Sequence, residues 1–273
     1  MANISLPADY HTHTPLCMHA VGEPEEYIDR AIERGVTEYG ISDHAPQQPE
    51  LFDDWRMLEG QLPEYFAWIE RARDHAAGRL PVRAGLECDW LPGNEAWIES
   101  LAGRYGWDYL IGSIHYLGGG DKPWDFDNPI WLGRWAETDV DLAWQTYWDA
   151  YAAMARSGLF DFLGHPDLIK KFGYRPEGDL KRYYDPVIEA IADVDVAIEL
   201  NMAGLHKPCE EAYPSMEFLG LAASAGIQIC LSSDAHAPGE VARDFEQGVA
   251  LLKEAGYRET CLFERRKKRL DRF

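Results

Sequence analysis

The sequence predicts a single α/β domain built around a parallel β-sheet, either closed or doubly wound. Short apolar runs alternate with longer amphipathic runs along the chain, which is the pattern of strands joined by crossover helices. The last apolar runs are rich in β-branched and aliphatic residues, as is typical of strands buried on both faces. The chain has 273 residues, of which 46% are hydrophobic, so one full-sized core is expected and no domain boundary is visible.

Strands and helices are predicted in strict alternation, seven of each. The clearest helix is 25–34, in which Tyr27, Ile28 and Ala31 fall on one face and Gly35 provides a C-terminal stop. The predicted strands are 8–13, 36–42, 81–88, 107–114, 160–164, 194–200 and 227–232. The other predicted helices are 61–78, 93–104, 139–157, 180–192, 214–225 and 240–255.

The segment 117–137 interrupts this alternation and is predicted to be a long loop after the fourth strand. It contains the glycine run 118–120 and has no helical or strand periodicity. Loops of this length are usually functional or disordered, and its aromatic content favours an active-site loop over disorder. The alternative is that the aromatic side chains simply pack the loop onto the sheet. These side chains are Trp124, Phe126, Trp131 and Trp135.

Composition excludes several classes of partner. Lys and Arg number 26 against 47 Asp and Glu, a net charge of −21 that repels nucleic acid except where metal cations intervene. Residues 1–7 lack the features of a signal peptide, and no stretch approaches the ~20 apolar residues of a membrane span, so a cytoplasmic protein is expected.

The basic run 265–269 is predicted to be a solvated helix end. Five cysteines without a Cys-x-x-Cys pair are expected to be mostly buried thiols.

Histidines and carboxylates recur where the predicted strands end. His11 and His13 end the first strand, Glu87 ends the third, and His44, His115, His165 and His236 follow the second, fourth, fifth and seventh. Because the C-terminal ends of parallel strands meet at one rim, these side chains are expected to converge there. Alternate residues of a strand share a face, so the pairs His11/His13 and Asp234/His236 can each face one cation, and the Glu87 carboxylate can bridge two. His19 follows on the first loop above the same rim.

The motifs that carry these residues resemble the PHP (polymerase and histidinol phosphatase) family, within it the histidinol-phosphate phosphatases. The resemblance covers nearly the whole chain and implies a distorted seven-stranded (β/α) barrel over residues 1–273, with the segment 117–137 as an active-site loop. The motifs are Asp9-Tyr10-His11-Thr12-His13, Ser42-Asp43-His44, Gly85-Leu86-Glu87, Gly112-Ser113-Ile114-His115-Tyr116, Gly164-His165-Pro166-Asp167, Glu199-Leu200-Asn201 and Ser233-Asp234-Ala235-His236.

The resemblance implies three divalent transition-metal ions, with zinc, iron and manganese all compatible with this ligand chemistry. The first ion would take His11, His13, Glu87 and Asp234, the second Glu87, His115 and His165, and the third His19, His44 and His236. Hydroxide shared by the first two ions would attack the phosphorus of L-histidinol phosphate, releasing L-histidinol and phosphate as in histidine biosynthesis. Glu87, Asp234 and His236 are the expected catalytic residues, whereas Asp9 and Asp43 are expected to orient imidazoles.

Recognition of the substrate is predicted less directly. An arginine is expected after Gly204-Leu205 in this family, but His206 stands there, which puts the phosphate-clamping role of that position in doubt. Two alternatives to the leading function stay open: a phosphoesterase acting on another small phosphate or nucleotide, and a non-catalytic metal-binding module. The candidate contacts are Lys170, Lys171, Arg175, His206, Lys207 and Asn201, with Asp127 for the amine of histidinol.

Overall fold

A computed structural model describes residues 6–48, 53–118 and 123–273, which form an α/β fold with parallel strands. The predicted α/β class is therefore confirmed. The helices are α1 (Pro24–Arg34), α2 (Leu62–Ala76), α3 (Glu95–Ala102), α4 (Val140–Arg156), α5 (Lys181–Ala192), α6 (Met216–Ser224) and α7 (Phe245–Ala255). The strands are β1 (Tyr39–Ile41), β2 (Val82–Ala84), β3 (Glu87–Asp89), β4 (Ile111–Ser113), β5 (Tyr116–Leu117), β6 (Trp124–Asp125), β7 (Phe162–Leu163), β8 (Ala197–Asn201), β9 (Ile229–Ser232), β10 (Glu259–Glu264) and β11 (Lys267–Arg272).

The parallel strands follow one another in chain order. β3, β4, β7, β8 and β9 form a sheet in which every neighbouring pair is parallel, and β1 pairs with β2 in the same direction. The predicted strand 8–13 appears only as isolated bridges, because side chains take some of its backbone groups. Tyr109 Oη donates to the Tyr10 carbonyl over 2.6 Å, and the amide of Thr12 donates to Ser42 Oγ.

The predicted helices are all present, and most begin and end within two residues of the predicted bounds. For α1, Pro24 occupies the first turn, Glu23 and Glu26 form a capping box, and Gly35 ends the helix at φ 73°. The prediction for the last helix began too early: the helix starts at Phe245 because Asp244 is left-handed, with φ 60°. Among the described residues, no helix is both long and apolar enough to cross a membrane.

The basic run 265–269 is not a helix end, and that prediction is wrong. Residues 259–272 form an antiparallel hairpin, β10–β11, whose turn is made by Arg265 and Arg266 with φ of 51° and 61°. Its apolar side chains form a buried cluster with side chains of the sheet, in which the Phe263 ring packs against Tyr10 and Phe162. The hairpin thus covers the end of the sheet opposite the carboxyl ends of the strands, and its charges pair with carboxylates of other segments: Arg266–Asp161, Lys268–Asp195 and Arg269–Glu38.

The segment 117–137 is more regular than a loop. β5 and β6 pair antiparallel, and a 3-10 helix occupies Pro129–Glu137; residues 119–122, including two of the three glycines, lie outside the described residues. Trp124, Phe126 and Trp135 are buried in the core, whereas Trp131 is 51% exposed. The alternative of packed aromatics therefore describes three of the four. The five cysteines are free thiols, four of them buried, as the spacing predicted.

Candidate metal centre

The nine predicted metal ligands lie together at the carboxyl ends of the parallel strands. Several subsets offer ligand atoms that lie within 4.8 Å of one another. Three of these subsets are His11/His13/Asp234, His11/Glu87/His165 and His19/His44/His236.

Glu87 is the centre of the cluster. Its side chain is 1% exposed at the start of β3, and its two carboxylate oxygens face imidazoles on both sides. Such an arrangement suits a carboxylate that bridges two cations. The Glu87 Oε1 distances are 3.3 Å to His11 Nε2, 3.0 Å to His165 Nε2 and 3.6 Å to His115 Nε2, and the Oε2 distances are 2.6 Å to His44 Nδ1 and 3.8 Å to His13 Nε2.

Asp234 supplies the second carboxylate. It follows β9 in a left-handed conformation, with φ 56°, and its Oδ1 lies 3.1 Å from His13 Nε2 and 3.7 Å from His11 Nε2. Asn201 Nδ2 donates to the other carboxylate oxygen over 3.1 Å. Asn201 is predicted to contact substrate, and in this structure its amide orients Asp234.

His19 and His236 are held by backbone carbonyls. His19 Nδ1 donates to the Cys17 carbonyl over 2.7 Å, and His236 Nδ1 donates to the Asp234 carbonyl over 2.9 Å. Each bond fixes the tautomer and leaves Nε2 without a proton, which is the form that binds a metal. The two rings stack with centroids 4.7 Å apart, and the His44 ring lies 5.4 Å from that of His19.

The donor set fits divalent transition metals. Buried ring nitrogens and carboxylate oxygens face one another in a cluster where hydrogen bonds do not account for all of them, although buried polar groups are normally paired. Neutral imidazoles with carboxylates suit zinc, iron and manganese. Among the described residues, the ring nitrogens of the cluster that are buried without a hydrogen bond include His11 Nε2 and His236 Nε2.

Electrostatics keep the carboxylates ionised. Burial raises the pKa of Glu87, but the charges of His11 and His115 outweigh it and hold the pKa well below its usual range. Burial likewise lowers the pKa of His44 and of His236 well below the usual range, so both imidazoles are neutral. Burial also lowers the pKa of His13, but its hydrogen bonds to carboxylates raise it to about 9. A cation at this ring would therefore compete with a proton.

Further carboxylates orient the imidazoles from outside the cluster. Asp43 Oδ1 lies 3.3 Å from His13 Nδ1, whereas Asp9 accepts bonds from Ser233 and from the Ala242 amide. Asp9 therefore holds the segment before Asp234 rather than an imidazole, which corrects its expected role.

Two orienting carboxylates were missed in the sequence. Glu199 Oε1 accepts from His11 Nδ1 over 2.8 Å, and Asp89 Oδ1 accepts from His115 Nδ1 over 2.7 Å. Both carry a signal in hindsight, because Asp89 is two residues after Glu87 on the same strand face and Glu199 lies near the end of β8.

The candidate phosphate cations are dispersed. Lys171 Nζ lies 2.9 Å from Asp127 Oδ2, and both side chains are largely buried. Lys170 is fully buried between carboxylates, so the expected phosphate contact does not fit its position. The remaining candidates lie further out: Arg175 pairs with Glu211, the 43% exposed His206 pairs with Asp244, and Lys207 is exposed.

Comparisons with known proteins agree with this geometry. The PHP domain family model matches residues 9–203. A protein of Deinococcus radiodurans described as a probable histidinol-phosphatase is 43% identical over 95% of this chain and 97% of its own length. The histidinol-phosphatase of Bacillus subtilis is 26% identical over 87% of this chain and 96% of its own length. A crystal structure of histidinol phosphate phosphatase from Lactococcus lactis, complexed with zinc, L-histidinol and phosphate, superposes with a TM-score of 0.77 at 20% identity, covering 96% of this chain and 98% of that one. The chain thus belongs to the PHP domain family and, within it, to the histidinol-phosphatases.

Proposed function

We propose that this protein is a metal-dependent phosphatase that hydrolyses L-histidinol phosphate to L-histidinol and inorganic phosphate, a step of histidine biosynthesis. The observation that carries this proposal is the cluster of nine candidate metal ligands around Glu87. The 43% identical relative is described as a probable histidinol-phosphatase, and the Lactococcus lactis enzyme holds zinc together with both products of this reaction. The fold, the ligand chemistry and the relatives therefore favour one reaction.

We assign three divalent ions to the cluster, in the ligand groups that the family resemblance implies. Bound divalent cations lower the pKa of water and neutralise charge on phosphoryl oxygens. Glu87 would lie between two of these ions, and Asp234 and His236 would face the same space. These groups would hold the ions, and the ions would bind the phosphoryl group and supply its nucleophile. Glu199 and Asp89 keep the ring nitrogens of His11 and His115 pointed inward.

Lys171 and Asp127 are our candidates for contacts to the substrate. Burial raises the pKa of Asp127, but the charges of Lys171, His115 and His165 outweigh it, so the carboxylate is ionised beside the cluster. An ionised Asp127 suits the cationic amine of histidinol, and Lys171 suits the phosphate. Asp127→Asn is expected to lower kcat/KM for histidinol phosphate by about 10-fold and to spare p-nitrophenyl phosphate. Equal losses on both substrates would assign Asp127 to holding Lys171 instead.

The sheet is inferred to close into the seven-stranded barrel of the family. Support comes from Asp9, which bridges in parallel both to Tyr39 of β1 and to Leu231 of β9. The first segment would thus be the strand that joins the two outer strands. Closure explains why ligands from both ends of the sequence share one rim.

Phosphate release from L-histidinol phosphate, p-nitrophenyl phosphate and nucleoside monophosphates tests the proposal, with zinc, manganese or iron added to metal-free protein. Selective turnover of histidinol phosphate is expected, with about three ions bound per chain. Glu87→Gln should abolish turnover while the circular dichroism of the folded protein stays. Glu38→Gln is the matched control, because Glu38 is equally buried but pairs with Arg83 and Arg269 away from the cluster. Equal turnover of all esters would favour the broader phosphoesterase, and bound metal without turnover would favour a binding module.

A further inference from the structure

Arg56 is a buried cation in the segment between β1 and α2. Its side chain is 4% exposed, and its guanidinium Nε lies 2.8 Å from both carboxylate oxygens of Asp53. Nη1 donates to Asp89 Oδ2 over 2.6 Å and to the Ala45 carbonyl over 3.1 Å, and Nη2 lies 3.4 Å from Tyr116 Oη. A buried charge with this many partners fixes each of them in place.

Asp89 connects this cation to the metal centre. One of its oxygens accepts from Arg56, and the other accepts from His115 Nδ1 over 2.7 Å. The opposite nitrogen of that ring, Nε2, faces Glu87 Oε1 at 3.6 Å. The rotation of the His115 ring therefore depends on a carboxylate whose own position depends on Arg56.

Trp55 connects Arg56 to the centre by a second route. The guanidinium carbon of Arg56 lies 4.2 Å from the centroid of the Trp55 ring, a cation–π contact. The indole stands edge-on to His44 at 4.7 Å and to His115 at 5.4 Å, and it lies 6.4 Å from His19. Trp55 therefore lines one wall of the cluster, and its contact with Arg56 fixes the position of the indole ring.

We propose that Arg56 is a positioning residue for the metal centre, acting through Asp89 on His115 and through Trp55 on the wall of the cluster. This inference rests on the ligand set of the proposed function. An arginine suits the position because its planar fork can bond two carboxylates and stack on an aromatic ring at once. Lysine offers a point charge without that fork, so Arg56→Lys preserves the charge and loses the geometry.

Zinc affinity of metal-free protein tests the proposal without requiring turnover. In competition with a chromophoric chelator, Arg56→Gln and Asp89→Asn should each lower the zinc affinity of the site that contains His115 by about 10-fold, as removal of an orienting partner typically does. Arg56→Lys should give a similar loss of zinc affinity. The double variant Arg56→Gln/Asp89→Asn should lose little more affinity than either single variant, because both substitutions act on the His115 ring. The ion assigned to His11, His13, Glu87 and Asp234, whose imidazoles do not contact Trp55, should keep its affinity within about twofold.

Arg104→Gln is the matched control, because Arg104 also pairs with a carboxylate, Glu59, and lies 5.1 Å over a tryptophan, Trp97, but away from the cluster. If Arg56→Gln does not fold, Asp89→Asn and Trp55→Phe, which keep the pair of Arg56 with Asp53, decide the question. A lower melting temperature with unchanged zinc affinities, or equal weakening of every ion, would overturn the proposal and leave Arg56 a structural residue. Absence of histidinol phosphate turnover together with the selective zinc loss would instead overturn the proposed function and leave the positioning role standing.

Discussion

Lys170 and Lys171 are neighbours in the chain, yet their ammonium groups lie in different surroundings. Lys170 Nζ is fully buried, 3.0 Å from Asp167, 2.9 Å from Glu211 and 2.8 Å from the Ala212 carbonyl. Removing one partner of a buried ion pair leaves an uncompensated charge. Lys170→Met is therefore expected to lower the free energy of unfolding by about 3–5 kcal/mol in urea denaturation.

The same substitution at Lys171 is the control for this prediction. The Lys171 side chain is 18% exposed and keeps contact with solvent. Compared with Lys170→Met, Lys171→Met should therefore lower the free energy of unfolding less and lower the phosphatase activity more. The assignment would be contradicted if Lys170→Met left the free energy of unfolding nearly unchanged and lowered kcat/KM instead, because that pattern belongs to a phosphate contact.

Glu211 gives the same ion-pair cluster a dependence on pH. Burial raises the pKa of Glu211, but Lys170 and Arg175 outweigh it and lower the pKa below its ordinary 4.5. A lowered folded-state pKa stabilises the protein above pH 4.5 and stops doing so as the pH falls through the folded value. The difference in unfolding free energy between wild type and Glu211→Gln should thus be constant near neutral pH and shrink below pH 4.5. Urea denaturation across this range is the measurement, and a difference independent of pH would count against the pair.

Most of the proposed metal ligands could be predicted from sequence because they end or follow predicted strands, and parallel strands bring their ends together whatever the details of packing. Their orienting partners depend on the direction of single side chains. Asp89 reaches His115 from the neighbouring strand, and Lys170 turns toward Asp167 within one short turn. Only Asp89 leaves a periodic signal, its two-residue spacing from Glu87, and that spacing does not show which imidazole it reaches.

At the scale of elements, the C-terminal hairpin is the largest feature that the sequence did not predict. Its basic residues are typical of a solvated helix end, and their acidic partners lie far away in the chain, such as Asp161 and Glu38. The helices were predicted more closely, since amphipathic periodicity and capping residues act locally. Strand 8–13 was correctly placed but lacks a regular ladder, because side chains bond its backbone.

The C-terminal hairpin is expected to stabilise the fold by packing its buried side chains against the sheet. Phe263 is 1% exposed, with its ring 5.5 Å from that of Tyr10 and 5.4 Å from that of Phe162. Phe263→Ala should lower the free energy of unfolding by about 3–5 kcal/mol through lost burial and a cavity. Leu270 of the same hairpin is 44% exposed, so Leu270→Ala should change the free energy of unfolding by less than about 0.5 kcal/mol. Thermal and urea denaturation compare the two variants. Similar losses of stability would mean that pairing of the two strands, and not burial of the Phe263 side chain, provides the stability.

At the scale of the whole molecule, a chain of net charge −21 binds a phosphorylated substrate in our proposal. Carboxylates are spread over the surface, but at the rim they are concentrated among histidines, where bound cations would reverse the local sign. The hydrophobic core lies around and below this rim and does not include the ligands. Folding and metal binding are therefore expected to be separable.

Removal of metal tests that separation. Metal-free protein should keep its folded circular dichroism but melt at a lower temperature, because ions that bind only the native state stabilise it by RT ln(1 + [L]/Kd), about 2.7 kcal/mol for each site at 100 times Kd. The melting temperature should rise with free zinc in wild type and rise much less in Glu87→Gln, since Glu87 faces five of the imidazoles. If zinc raised the melting temperature equally in both proteins, the ions would bind elsewhere on this acidic chain; if chelation unfolded wild type, the cluster and not the core would hold the fold together.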